Sequence, residues 1–437
     1  MSRLVYRLPE DSNELAQRLA PQRKLFDRGV LQGVYGIFNQ VEEGKDQAII
    51  GVTESIDKVK LERVGLTPAY IRQCLDSLSP TLKQAIEQAR DHIEEVNRAL
   101  LPVSWHKEIR PGTIVGEKIS PLDAVGIWIP ARKGPLISTA LMLVTAAKTA
   151  GVGRIVVGMP PLPSGLGDPA TVAAASMAGA DEFVTGNGVA VIAGLCMGTP
   201  SIPKVNGIFG PGPGGIAAAM STASSYGVKT AVGLGPTECV IVADETADAE
   251  MLAYDLINEG EHGPDSSSIL VTTSAAVAER VERHLFAVID EVEPPRRDYL
   301  HNVFGANGLG AIVVAPNIEA ACEFVNEYAP EHVMVVCGEE TERKALELIR
   351  NAGEILIGPY TPFSAANYGI GITAVLPTNG YAKSFSGITS KEMIKTSTIG
   401  KLDQQALAGL LPVIEALGGY ERLPCHVKAA EVRLRRM

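Results

Sequence analysis

The stretch Asn258-Glu259-Gly260-Glu261-His262-Gly263-Pro264-Asp265 places a carboxylate and an imidazole where a helix should carry only apolar residues. Upstream, Ala249, Leu252 and Leu256 recur at the spacing of a buried helical stripe. Glu259 extends that stripe and His262 shares its face, an arrangement that presents metal ligands into an interior. Gly263 then stops the helix and Pro264 prevents its resumption. The same spacing also fits a solvated helix C-terminus, where His262 favours the negative end of the helix dipole.

The elements that must position this pair are short and regularly alternating. From about residue 120, strand-like runs at 125–129, 155–157 and 183–184 alternate with helical runs at 135–150, 168–178 and 189–196. A second series has strands at 240–242, 269–271, 312–314, 333–336 and 355–357, with helices near 249–262, 275–292, 318–328 and 339–351. Alternation with short connections predicts parallel βα units, here two in tandem. Residues before about 110 read as helical, with Ser79 capping a helix that Pro80 opens and Ile86, Ile93, Val96 and Leu100 follow. Beyond about 385 the pattern loosens into a mostly helical tail that carries His426 near its end. Gly210-Pro211-Gly212-Pro213-Gly214-Gly215 satisfies GxGxxG before a small-residue helix. Its two prolines remove N–H groups that would cradle a pyrophosphate, so a tight loop competes with a dinucleotide fingerprint.

Bulk properties narrow the setting. A chain of 437 residues has ample core for two or three structural units. Its net charge of −11 argues against nucleic acid and against an anionic membrane surface. Six scattered cysteines without a CxxC pair suggest neither a zinc knuckle nor a disulfide framework. The first residues lack an apolar core of signal-peptide length, and the run 140–147 is too short to span a bilayer. A cytoplasmic protein is expected.

Several separated motifs then converge. Gly235-Pro236-Thr237-Glu238, Gly260-Glu261-His262-Gly263-Pro264, Ala329-Pro330-Glu331-His332, Leu376-Pro377-Thr378 with Ser386-Gly387, and Glu421 with His426 stand in the order and spacing of the histidinol dehydrogenases, and the chain resembles that family. The segment Ile127-Trp128-Ile129-Pro130 is similar to its Tyr-Ile-Pro-Gly-Gly loop. The resemblance implies a zinc-containing, NAD-dependent homodimer that oxidises a primary alcohol through an aldehyde to a carboxylate, consuming two NAD. His332 matches the general base that takes the alcohol proton, and Glu331 the base that activates water for the second oxidation. Zinc positions match Glu259, His262, Asn367 and His426. Substrate positions match Thr237 and Glu421, to which Arg132 adds a cationic side chain of this sequence's own, and cofactor positions match Trp128, Pro130, Gly188 and Pro213.

The resemblance also suggests a layout of an α/β fold with two tandem Rossmann-like βα domains, a helical N-terminal segment and a helical C-terminal tail docked on the partner subunit. Residues 1–25 form an N-terminal arm; 26–119 and 237–385 a discontinuous first domain with the metal and catalytic residues; 120–236 a second, NAD-binding domain; and 386–437 the tail. The chain departs from the family at the site. The family's glutamine, histidine, aspartate and histidine ligands become glutamate, histidine, asparagine and histidine, which keeps the charge of the set. Its Asn-His pair is Thr373-Ala374, its glycine pair is Ala131-Arg132 followed by Lys133, its Gly-Pro-Gly-Asn is 210–213, and its Gly-Ala-Gln-Ala is 187–190. Arg132 and Lys133 suit an anionic group, so either histidinol or an anionic alcohol such as a sulfonated diol fits. The altered cofactor loop admits an alternative, a non-catalytic zinc-binding homologue that has lost NAD.

Overall fold

Residues 4–19, 27–131, 134–212, 214–231 and 235–435 are described by the computed structural model. The chain forms two compact units, Met1–Leu100 with Leu122–Met393, and Leu101–Pro121 with Ile394–Met437. In chain order the elements begin with β1 (Val5–Arg7), α1 (Ser12–Leu19), α2 (Arg28–Asp57), α3 (Pro68–Ser77), α4 (Pro80–Leu100), β2 (Trp105–Arg110) and β3 (Thr113–Pro121). A βα series follows: β4 (Ala124–Trp128), α5 (Ile137–Ala150), β5 (Arg154–Met159), α6 (Pro169–Ala178), β6 (Glu182–Thr185), α7 (Gly188–Met197), β7 (Gly207–Phe209), α8 (Gly214–Ser224) and β8 (Lys229–Thr230). The next series is β9 (Glu238–Ala243), α9 (Ala249–Gly260), β10 (Ser267–Thr272), α10 (Ala275–Glu291), α11 (Arg296–Val303), β11 (Ala311–Val314), α12 (Ile318–Tyr328), β12 (His332–Val336), α13 (Glu339–Leu348), β13 (Glu354–Ile357) and α14 (Phe363–Tyr368). The chain then forms a 3-10 turn at Tyr381–Lys383, β14 (Ile394–Leu402), α15 (Gln404–Tyr420) and α16 (Pro424–Arg435).

The larger unit holds two parallel sheets, ordered β6-β5-β4-β7-β8 and β1-β11-β10-β9-β12-β13. Within each βα series the first strand is central and the order is third, second, first, fourth, fifth. That is the doubly wound arrangement, in which helices cover both faces and the strands become continuous apolar runs. Every residue of β4, β9, β10 and β12 is accordingly buried. At the point where the second series reverses direction, the Asp244 carboxylate after β9 accepts from the Gly338 N–H after β12 at 2.8 Å and from the Thr246 N–H at 2.9 Å.

The N-terminal helices pack differently from the expected grouping of 26–119 with 237–385. Helix α4 buries Ile86 and Ile93 in the cluster that contains α5 and α6, and α2 buries Val34, Phe38, Val41, Ile49 and Val52 against α7 and α8. The physical cause lies in the inner helices. Residues 140–147 of α5 are all buried, as are eight residues of α7, and a helix apolar on every side needs a second layer over it. Within the expected N-terminal arm, β1 pairs in parallel with β11 and extends the second sheet.

The smaller unit corrects the expectation of helix at both of its ends. Here β14 pairs antiparallel with β3 along nine residues, Ile394 to Leu402 against Pro121 to Thr113, and β2 completes the sheet. Most residues of β14 and all of β2 are exposed, so no apolar alternation marked them as strands. Helices α15 and α16 form a hairpin with an outward apolar face that includes Val413, Leu417 and Tyr420.

Candidate active site

In a doubly wound sheet each helix runs back against its strands, so the residues that end a helix or begin a strand gather at the amino edge. The second sheet concentrates carboxylates there. Glu238 begins β9, Glu331 precedes β12, His332 begins β12 and Glu354 begins β13. Parallel register places His332 opposite Cys239 on one side and Glu354 on the other. Helix α9 ends at Gly260, earlier than the sequence pattern suggested, and delivers Glu259 and His262 to the same edge.

His332 is the hub. Its Nδ1 lies 2.5 Å from Glu354 Oε1, and its Nε2 faces Glu331 Oε2 at 3.6 Å and Glu259 Oε2 at 3.9 Å. The Phe363 ring meets the imidazole edge-on, 5.6 Å between centroids at 69°. Glu331 is fixed by the Glu238 N–H, which donates to its Oε2 at 3.2 Å. Glu238 in turn accepts from the Asn379 N–H at 3.0 Å, and Thr378 Oγ1 accepts from the Gly235 N–H at 2.8 Å. The motifs 235–238 and 376–378 therefore clamp the strand start that holds Glu331, and Thr237 sits in this clamp with its carbonyl accepting from the Ser267 N–H.

Glu259 is almost fully buried, with Oε2 at 3.5 Å from His262 Nε2 and Oε1 accepting from Asn367 Nδ2 at 3.3 Å. Three of the four anticipated metal positions thus meet in one place. The Asn367 amide was oriented by its hydrogen bond, and rotation about its last bond presents the oxygen instead. Among the described residues no group of three or more His, Cys, Asp or Glu side chains is arranged to hold a metal. His426 and Glu421 belong to the smaller unit, on and beside α16 and α15. Arg132, Lys133 and Pro213 lie outside the described residues.

The remaining anticipated cofactor residues sit at the carboxyl edge of the first sheet, where β4 and β7 diverge. Trp128 ends β4, is buried, and its indole N–H has no hydrogen-bond partner among the described residues. Pro130 follows it by two residues. Gly188 begins α7, and a Cβ there would stand 2.7 Å from Trp128 Cζ2. Gly210 has φ of +148°, and its Cβ would lie 2.0 Å from the Trp128 carbonyl oxygen, so the glycine-rich loop is what lets the chain close on β4.

Burial dominates the electrostatics. It pushes the Glu331 carboxyl up to about 8, helped by the charge of Glu259 and opposed by His332. For His332 burial disfavours the charged ring, but Glu331, Glu259 and Glu354 together outweigh it and raise the imidazole to about 10. The α9 C-terminus adds the negative end of its dipole. The site as built attracts a cation.

Sequence reasoning missed Glu354, Phe363 and Asn379. Glu354 had a legible signal, because it is the one charged residue at the start of the apolar run Ile355-Leu356-Ile357, just as His332 starts Val333 to Val336.

A family model described as histidinol dehydrogenase matches residues 21–434. The histidinol dehydrogenase of Synechocystis sp. is 36% identical over 413 residues, covering 90% of this chain and 94% of its own length. That of Methanosarcina barkeri is 36% identical over 424 residues and covers 95% of each chain. The crystal structure of histidinol dehydrogenase from Elizabethkingia anophelis superimposes with a TM-score of 0.92 at 30% identity, covering 100% of this chain and 98% of that one.

The raised proton affinities carry a pH dependence. Stability from Glu331 is fully present below its ordinary value of 4.5 and is lost as pH rises through about 8; for His332 the window runs from 6.5 to about 10. Chelator-treated protein should therefore lose stability to urea between neutral pH and about 10, and His332→Asn should flatten that loss. An unfolding midpoint that stays constant across the window in the parent protein would contradict the assignment.

Proposed function

The chain belongs to the histidinol dehydrogenase family, and on that premise we propose that it oxidises a small polar primary alcohol through an aldehyde to a carboxylate with two NAD. The observation that carries the reading is the buried pair Glu331 and His332, whose Oε2 and Nε2 face each other 3.6 Å apart beside Glu259. Hydride leaves an alcohol carbon readily only as the oxygen loses its proton, and Nε2 of the neutral His332 ring, the minor form until pH approaches about 10, is the acceptor for that proton. Glu331, in its ionised form, takes the proton of the water that adds to the aldehyde, and burial keeps its basicity above that of a solvated carboxylate. Bound NAD would supply the hydride acceptor for both oxidations, and Trp128, Pro130 and Gly188, at the carboxyl edge of the first sheet, would hold it in a Rossmann-like manner together with Pro213.

Glu259, His262 and Asn367 offer a carboxylate, an imidazole and an amide oxygen that fit zinc, and His426 would complete the set. When bound, the metal polarises the substrate oxygen. In this reading His426 and Glu421 come from the tail of a second copy, which accords with the exposed apolar face of α15.

The carboxylate-rich edge favours an alcohol that carries a cationic amino group, as histidinol does. A second reading, an anionic alcohol such as a sulfonated diol with Arg132 as its partner, is favoured by Thr373-Ala374, which removes the imidazole that the family places there. Retention of Glu331 and His332 argues against a non-catalytic zinc-binding homologue.

A panel of amino, sulfo and hydroxy primary alcohols, scored by NADH formation with zinc supplied, should find one substrate class. On it, His332→Asn should slow alcohol oxidation by about 100- to 10,000-fold, while Glu331→Gln should act mainly on the aldehyde-to-acid step. Wild-type rates in both variants would show the roles to be wrong.

The exchanged ligands give a sharper expectation. Glu259→Gln leaves no carboxylate on the metal and should release zinc, whereas Glu259→Gln with Asn367→Asp should recover it, with a coupling of about 1 kcal/mol or more. Simple additivity in zinc affinity across the four proteins would mean that the two side chains do not share an ion. For the shared site, mixing His332→Asn with His426→Ala protein under subunit exchange should restore activity in some heterodimers. No complementation despite demonstrated exchange would place each site within one chain.

A further inference from the structure

We infer that Glu354 is a positioning residue for His332, holding a proton on Nδ1 so that Nε2 is left to take the proton of the alcohol. The inference rests on the proposed alcohol oxidation and extends it to a residue outside the Glu331-His332 pair. The two side chains start adjacent strands in parallel register, so their relation is fixed by the sheet rather than by a loop. Of the contacts made by the imidazole, only that between Nδ1 and Glu354 Oε1, at 2.5 Å, is within hydrogen-bond reach. Phe363 packs edge-on against the ring.

The burial of Glu354 supports a functional reading. Its Oε2 is buried with no hydrogen-bond partner among the described residues, while its Oε1 meets His332 Nδ1. A carboxylate withdrawn from water with half of its acceptor capacity unused opposes folding. What it provides is a fixed tautomer, since a carboxylate accepts and cannot donate. In the reaction the alcohol O–H bond breaks and its proton passes to Nε2, while the C–H bond delivers its electron pair as hydride to NAD and the C=O bond forms. The resulting imidazolium keeps both N–H groups, with Glu354 already aligned to neutralise it, and Nε2 later returns its proton to solvent.

Full-length zinc-loaded protein, labelled with ¹⁵N-histidine, reports the bond directly. Wild type should show a low-field proton on His332 Nδ1, identified by its loss in His332→Asn, and that signal should disappear in Glu354→Ala and shift in Glu354→Gln. Turnover number on the alcohol should fall by about 100-fold or more in both variants with KM changed far less, and Glu354→Asp should recover part of it. Glu354→Gln preserves shape, so it carries the test should Glu354→Ala fail to fold. An unchanged Nδ1 proton in Glu354→Gln, or turnover within about two-fold of wild type, overturns the inference. Absence of alcohol oxidation in the wild type would instead refute the proposed function, and the Nδ1 signal would still decide whether Glu354 fixes the ring.

Discussion

Three carboxylates withdrawn from water around one imidazole, with a fourth buried beside Glu331, are the constraint on which the rest of this structure depends. Glu238, Glu259, Glu331 and Glu354 crowd one edge of a sheet whose interior is mostly apolar. Burial of charge at that density is tolerable only where each group has a partner or a proton. The backbone provides part of this through the N–H groups of Glu238 and Asn379, and His332 provides most of the remainder. The clamp formed by 235–238 and 376–378, the edge-on Phe363 and the register of β12 with β13 all serve to keep these groups from relaxing apart.

The strands and helices that carry the site were readable because each is one half of a simple alternation. A strand buried on both faces is an apolar run, and β9, β10 and β12 appear as such in the sequence. Glu259 and His262 were readable as a pair because helical spacing is local. The packing of α2 and α4 was not, since an amphipathic stripe states that something covers it without stating what. Only the all-round apolar character of α5 and α7 could have pointed to a second helical layer. Strand β14 was hidden for the opposite reason, because its exposed residues leave no period to detect.

Glu354 shows a different limit. Its partner is 22 positions away in the chain, and its meaning arises from strand adjacency and register, neither of which is encoded at either position alone. Register converts two unremarkable strand starts into a dyad. Thr373 and Ala374, by contrast, were visible as departures from the family pattern, yet Thr373 Oγ1 is buried without a partner and nothing around it explains the exchange.

The molecule contains the same strand order twice but does not use it twice in the same way. Open sheets of this kind present a crevice at the carboxyl ends of the strands where winding reverses, lined by helix N-termini that welcome phosphate. In the second series that crevice is already taken by Asp244, bonded to the Gly338 N–H at the entrance to α13. The chain thus carries its own permanent counter-anion there. One side chain is enough to make two copies of a single architecture electrically inequivalent.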